Sequence, residues 1–229
     1  MNIAFIPVRG GSKSIPLKNI KPINGKPLVY WTAFAAQQAK CIDKIIIATD
    51  SPEIKNTVLS FGLSKLEVYD RNPENASDTA STESVMLEYL NQSDLQDTDL
   101  FFLIQATSPL LKSEHIDGMY EAYIKGFTDS MFTGAIEKQF KWKKVTAEGE
   151  DEKPQPVNYD YKNRPRRQDF EGLIAETGAC YVNKVENIKR DRCRFSGKVT
   201  YYEVPAYTAY EIDEPVDWII VEELLKAHS

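Results

Sequence analysis

Histidine is nearly absent from this 229-residue chain: His115 and His228 are the only two, and the second stands next to the last residue. That scarcity argues against a Ser-His-Asp triad or a histidine-rich metal centre. Cysteine is almost as sparse. Cys41, Cys180 and Cys193 are odd in number, far apart and without a C-x-x-C pair, so they read as reduced thiols, with no disulfide framework or zinc site implied. No apolar run approaches the roughly 20 residues that span a bilayer. The opening stretch Met1 to Val8 meets Arg9 and the Gly10-Gly11 pair too soon to be a signal-peptide core, and it lacks a basic flank. The expected compartment is the cytoplasm, with no membrane partner.

Acid is missing from one place in particular. Residues 1 to 42 contain Arg9, Lys13, Lys18, Lys21, Lys26 and Lys40 and not one Asp or Glu, yet the whole chain carries a net charge of −6. A basic island on an acidic protein suits a small polyanion and speaks against nucleic acid. Hydrophobic residues at 42 % and charged residues at 27 % are the balance of a folded globular chain, which sets disorder aside.

What is present alternates in period. Asn2 to Val8, Lys44 to Thr49 and Leu100 to Ile104 are apolar runs of strand length, while Leu28, Trp31, Phe34 and Ala35 recur at helical spacing after Pro27. Ser51-Pro52 is an N-cap and first-turn pair for a helix that Gly62 ends. Leu66 to Tyr69 and Ser130 to Ile136 read as strands, and Thr82 to Gln92 and Glu114 to Lys125 as helices. Ala179 to Val182, Val199 to Val204 and Tyr210 to Ile212 read as further strands. A last helix is expected from Pro215 to Ala227, with Val216, Ile219, Ile220, Leu224 and Leu225 as its buried stripe. This alternation predicts an α/β, Rossmann-like fold with a mostly parallel sheet and helices on both faces. Residues 1–136 and 172–229 form that domain. Residues 137–171, rich in charge, Pro, Tyr and Trp and without helical period, are too long for an ordinary loop and read as an inserted arm that packs on a second subunit.

The loop after the first strand, F-I-P-V-R-G-G-S-K-S-I-P-L-K-N, lies where open α/β sheets bind ligands. Gly10 and Gly11 let backbone N–H groups approach an anion, and Arg9, Lys13 and Lys18 add unbalanced charge. The loop is neither G-x-x-x-x-G-K-[ST] nor G-x-G-x-x-G, so the P-loop NTPase and dinucleotide readings fall away.

Arg9 to Lys13 followed by Ile15 to Asn19 resembles the nucleotide-binding loop of the CMP-sialic acid synthetases, the acylneuraminate cytidylyltransferases. The resemblance recurs in order along nearly the whole chain. Ala76 to Ser81, preceded by Arg71, is similar to their second nucleotide segment, and Gln105 to Leu110 to the segment that reaches the sugar. Arg164 to Asp169 and Thr177 to Tyr181 resemble their arm and the strand after it, and Glu211 to Asp213, with Asp217, the closing acidic motif.

The resemblance implies a cytidylyltransferase of the nucleotidyltransferase fold type that joins CMP from CTP to a sialic acid and releases pyrophosphate. Arg9, Gly10, Ser12 and Lys13 would meet the phosphates, with Asn19 beside the nucleotide and Arg71 and Thr82 fixing base and ribose. On their own, Arg71 reads as a surface charge beside Asn72-Pro73, and Thr82 as a helix cap. Gln105, Arg167 and Tyr181 would line the sugar pocket, where an arginine fork suits a carboxylate. Mg²⁺ is the implied cofactor, on Asp213 with Glu211 and Asp217. Glu211 and Asp213 share a face if they lie on a strand, and Asp217 also suits a helix dipole. Lys13, Arg9 and Asp213 are the implied catalytic groups, with Asp213 the candidate base. The chain departs from the family at Glu211, where Asp is usual, at Ser14, where Gly is usual, and at Leu111, where Arg is frequent. The implied partners are CTP, a nonulosonic acid and a second copy of the chain. The alternatives are a cytidylyltransferase for a pseudaminic, legionaminic or KDO-type acid, or a non-catalytic nucleotide-sugar binding module.

Overall fold

The computed structural model describes residues 1–11, 14–76, 80–146 and 152–228. In chain order the strands are β1 (Asn2–Pro7), β2 (Pro22–Ile23), β3 (Lys26–Pro27), β4 (Lys44–Thr49), β5 (Leu66–Asp70), β6 (Leu100–Ile104), β7 (Ser130–Glu137), β8 (Trp142–Val145), β9 (Lys153–Pro156), β10 (Leu173–Lys184) and β11 (Val199–Glu203). The helices are α1 (Leu28–Gln38), α2 (Pro52–Leu59), α3 (Thr82–Gln92), α4 (Ser113–Lys125), α5 (Val185–Asp191) and α6 (Pro215–His228).

Seven strands form one sheet in the order β11-β7-β10-β6-β1-β4-β5. All neighbours run parallel except β10, which is antiparallel to both β6 and β7. The apolar runs work on both faces because strand side chains alternate. Ala4, Ile6, Ile45, Ile47, Phe102 and Ile104 pack with α1, α2 and α4, while Ile3, Phe5, Ile46, Phe101 and Leu103 pack with α3 and α5. A third cluster, Ile15, Ile23, Leu28, Leu110, Ile212, Val221 and Leu225, seats the first loop and α6 against the body.

Local signals set the helix starts. Ser51 Oγ accepts the Ile54 N–H at 3.3 Å with Pro52 opening α2. Ser81, rather than Thr82, caps α3, its Oγ accepting the Ser84 N–H at 3.1 Å.

Three expectations change. Tyr210 to Ile212 is not a strand: it follows a 3₁₀ turn over Ala206–Ala209, and Ile212 donates its N–H to the Thr107 carbonyl at 2.9 Å instead of joining the sheet. The buried stripe of α6 runs through Val221 and Leu225, with Trp218 and Leu224 partly covered, whereas Val216 and Ile219 are 59 % and 66 % exposed and Ile220 is also exposed. This helix is apolar nearly all round, so its sequence period does not select the face that docks. The third change is β10, which is far longer than Ala179 to Val182 and continues directly into α5, an element without a strong period of its own.

Residues 137–171 leave the body as a small antiparallel hairpin of β8 and β9. Aromatic side chains organise its base: the Phe140 ring lies 4.3 Å from Tyr159 and 4.9 Å from Phe170, with the Arg164 guanidinium 4.6 Å over it.

Candidate active site

A cleft of about 330 Å³ opens at the carboxyl ends of β1, β5 and β6 and is lined by Arg9, Lys18, Asn19, Arg71, Ser81, Thr82, Gln105, Thr107 and Asp213 among others. The place follows from the topology, since loops leaving the same end of parallel strands converge there. Of the expected site residues, Arg9, Asn19, Arg71, Thr82, Gln105 and Asp213 come together in this one cleft. Ser12 and Lys13 lie outside the described residues, as do 77–79 of the second nucleotide segment.

The first loop is held from below. The Asn19 amide, buried, donates to the Arg9 carbonyl at 3.0 Å, and the Gly10 N–H donates to Asp50 Oδ1 at 3.1 Å. Gly10 also lies close to Ser51, where an added Cβ would stand 3.0 Å from the Ser51 Cβ, a contact that the loop relaxes only if Ser51 gives way. Leu17 adopts a left-handed backbone, φ 50°, and turns the chain so that Lys18 and Asn19 point into the cleft. A β-substituted residue in that region is strained, and strain of this kind gathers at functional loops.

Lys18, which in the sequence is one more loop charge, lines the cleft. Its Nζ donates to the Ile212 carbonyl at 2.7 Å and to Asp213 Oδ1 at 3.1 Å, with the lysine side chain only 12 % exposed. Its place between the phosphate loop and the acidic motif emerges only when the ends of the chain are brought together.

The three remaining segments are hydrogen-bonded to one another. Gln105 donates its N–H to the Ala179 carbonyl at 3.1 Å, and Ile212 to Thr107 at 2.9 Å. Between Glu176 and Tyr181 the register of β10 against β7 shifts, and at the break Gly178 takes a positive φ of 69°. Glu211 packs on that glycine, and the Thr107 hydroxyl lies 3.5 Å from its Oε2. Burial, and then the charge of Asp213, push the Glu211 carboxyl up to about 7, against the pull of Thr107 and Lys18.

Asp217 takes a different role from a metal ligand: its Oδ2 accepts the N–H groups of Asp213 at 3.0 Å and Glu214 at 2.7 Å, which caps the start of α6. Among the described residues there is no group of three or more His, Cys, Asp or Glu placed to hold a metal ion. Asp213 and Glu211 are the two carboxylates whose mutual repulsion a cation would relieve, and two carboxylates with substrate phosphates are an ordinary Mg²⁺ donor set. The residues fit that group.

Two expected sugar contacts do not line this cleft. The Tyr181 ring is buried in the core against Phe195, 5.5 Å between centroids, and its hydroxyl donates to Glu176. Arg167 stands at the foot of the arm, in a separate depression with Glu137, Glu176 and Tyr210.

Comparison with known proteins identifies the family and the fold. The family model described as Cytidylyltransferase matches residues 3–219. N-acylneuraminate cytidylyltransferase A of Danio rerio is 36 % identical over 220 residues, covering 96 % of this chain and 50 % of that protein. N-acylneuraminate cytidylyltransferase of Oncorhynchus mykiss is 36 % identical over 221 residues, covering 96 % of this chain and 49 % of that protein. The chain therefore spans about half the length of the curated relatives it matches. The structure of CMP:2-keto-3-deoxy-manno-octonic acid synthetase complexed with CTP superposes with a TM-score of 0.70 at 19 % identity, over 100 % of this chain and 99 % of that one. With a family match that takes in the first loop, the central segments and the closing acidic motif, the chain belongs to the cytidylyltransferase family.

Proposed function

We propose that this chain joins CMP from CTP to the anomeric hydroxyl of N-acetylneuraminate or a close relative and releases pyrophosphate. The observation that carries the reading is the single cleft that gathers Arg9, Lys18, Asn19, Arg71, Gln105 and Asp213 from four distant parts of the chain. The names of the two fish relatives support the sugar, and the CTP bound in the structural neighbour supports the nucleotide.

In this reading the triphosphate lies on the first loop, where Arg9 and Gly10, with Ser12 and Lys13, offer charge and backbone donors. Arg71 and Thr82 hold the nucleoside end, and Gln105 faces the sugar. The sugar oxygen attacks the α-phosphorus, a new P–O bond forms, and the bond to the β-phosphate oxygen breaks in line. Positioning and neutralisation of phosphate charge are the main sources of rate in such a transfer. The proton of the attacking hydroxyl passes to the Asp213 carboxylate, which Lys18 orients from 3.1 Å. Mg²⁺ would be held by Asp213 and Glu211 together with the phosphates, and when bound it supplies further neutralisation of their charge.

A homodimer through residues 137–171 belongs to the proposal. Trp142 and Tyr161 of the arm are 46 % and 54 % exposed with their rings 5.7 Å apart, an apolar pair that a second copy would cover. Arg167, at the foot of the arm, would meet the sugar carboxylate only across such an interface. We place the reaction in the cytoplasm, where the three free cysteines stay reduced.

A keto-sugar acid of the KDO type is the second reading, favoured by the fold of the CTP-bound neighbour. Pyrophosphate release with CTP, Mg²⁺ and a panel of nonulosonic acids tests both. Release dependent on N-acetylneuraminate supports the first, and release with another acid alone replaces it.

A further inference from the structure

Glu88 lies on α3, the helix whose first residues Ser81 and Thr82 border the cleft, and it falls among the apolar side chains Val85, Met86, Leu87 and Leu90. It is only 8 % exposed. A carboxylate at such a position costs desolvation that an apolar residue would not, so its partners decide why it is there. Among the described residues they all come from the end of β5 and the turn that follows it, residues 69–75. Oε1 accepts the Tyr69 hydroxyl and the Asn72 N–H, each at 2.8 Å, and Oε2 accepts the Asn75 amide.

That turn carries Arg71. The Arg71 N–H reaches the Thr49 carbonyl at 3.0 Å, and its Nη2 donates to the Asn75 carbonyl. One buried acid therefore fixes the residues on both sides of Arg71 and the residue that its guanidinium grips. Arg71 lines the cleft, and its Nε is buried with no hydrogen-bond partner among the described residues.

We propose that Glu88 is a positioning residue that holds the 69–75 turn closed and so presents Arg71 to the nucleotide. The role rests on the reading that the cleft takes CTP. Burial alone would raise the Glu88 carboxyl, but the bonds from Asn75, Asn72 and Tyr69 and the charge of Arg71 hold it below the ordinary glutamate value, so it stays ionised and gripping at neutral pH.

Glu88→Gln, nearly isosteric, is the test, with Arg71→Ala and the double variant beside it. CTP affinity is measured by calorimetry, the sugar KM by pyrophosphate release, and the loosening of the turn by amide exchange at Asn72 in ligand-free protein. The expected result is about tenfold weaker CTP binding with a sugar KM within about twofold of the starting protein. Faster Asn72 exchange is expected with it, and no added loss when Glu88→Gln is placed on Arg71→Ala. If Asn72 exchange rises while CTP affinity holds, or if the two substitutions add in full, Glu88 is structural only and the proposal falls. A starting protein that binds no CTP would instead overturn the nucleotide reading itself, while Asn72 exchange would still report whether Glu88 holds the turn.

Discussion

Lys18 Nζ stands 3.1 Å from Asp213 Oδ1, although 195 residues separate them in the chain. This contact joins the loop proposed to hold the triphosphate to the carboxylate proposed to accept the proton. Asp213→Asn keeps the shape and removes the charge, and is expected to lower kcat by at least about 100-fold. Single-turnover pyrophosphate release measures this. An Asp213→Asn enzyme that keeps its turnover would remove Asp213 from the role.

Gly178 and Glu211 form a second pair of this kind. The positive φ of 69° strains any side chain at Gly178, and the Glu211 carboxylate packed there would have to move aside. Gly178→Ala is expected to lose on the order of 1–3 kcal/mol of stability from backbone strain alone. Denaturant unfolding checks it, and an unchanged midpoint would mean that the break in β10 is more pliable than its geometry indicates.

Acid stability follows from two carboxylates of α3, the half-buried Glu83 and the buried Glu88. Burial raises Glu83, and the Arg194 guanidinium at 2.6 Å outweighs it; the bonds to Glu88 do the same there, so both carboxyls lie below the ordinary value when folded. Groups depressed on folding stabilise the protein above their unfolded value, about 4.3, and that contribution is lost progressively as pH falls below it toward the folded value. Unfolding free energy measured from pH 7 down to pH 3 is therefore expected to fall more steeply for the starting protein than for Glu88→Gln. Parallel curves would contradict this.

The hairpin at 137–171 makes a prediction about assembly. Light scattering at micromolar concentration is expected to give twice the mass of the 26.1 kDa chain. Replacing Trp142 and Tyr161 by Ser should shift it toward the single mass. A monomer in the starting protein would leave Arg167 with no route to the sugar.

The sheet was legible because its central strands are buried on both faces, so Lys44–Thr49 and Leu100–Ile104 announce themselves as unbroken apolar runs. The first loop was legible through its glycines and its unbalanced charge. The docking face of α6 was hidden because apolar residues lie on most of its sides, and the contact with Ile23, Leu28 and Leu110 chooses among them. Neither could Lys18 and Glu88 be ranked from the sequence: their importance comes from partners at Asp213 and in the Tyr69–Asn75 turn, which only the folded chain brings near. Tyr181 shows the opposite failure, a motif residue whose side chain is turned into the core.

The central claim is that the cleft transfers CMP to a sialic acid. Pyrophosphate release from CTP, with Mg²⁺ present and N-acetylneuraminate added or withheld, tests it most directly. Release is expected only when the sugar is present, with CTP preferred over other nucleoside triphosphates. CTP that binds but yields no pyrophosphate with any nonulosonic acid would contradict it, and would leave the cleft as a site that holds a nucleotide without reacting it.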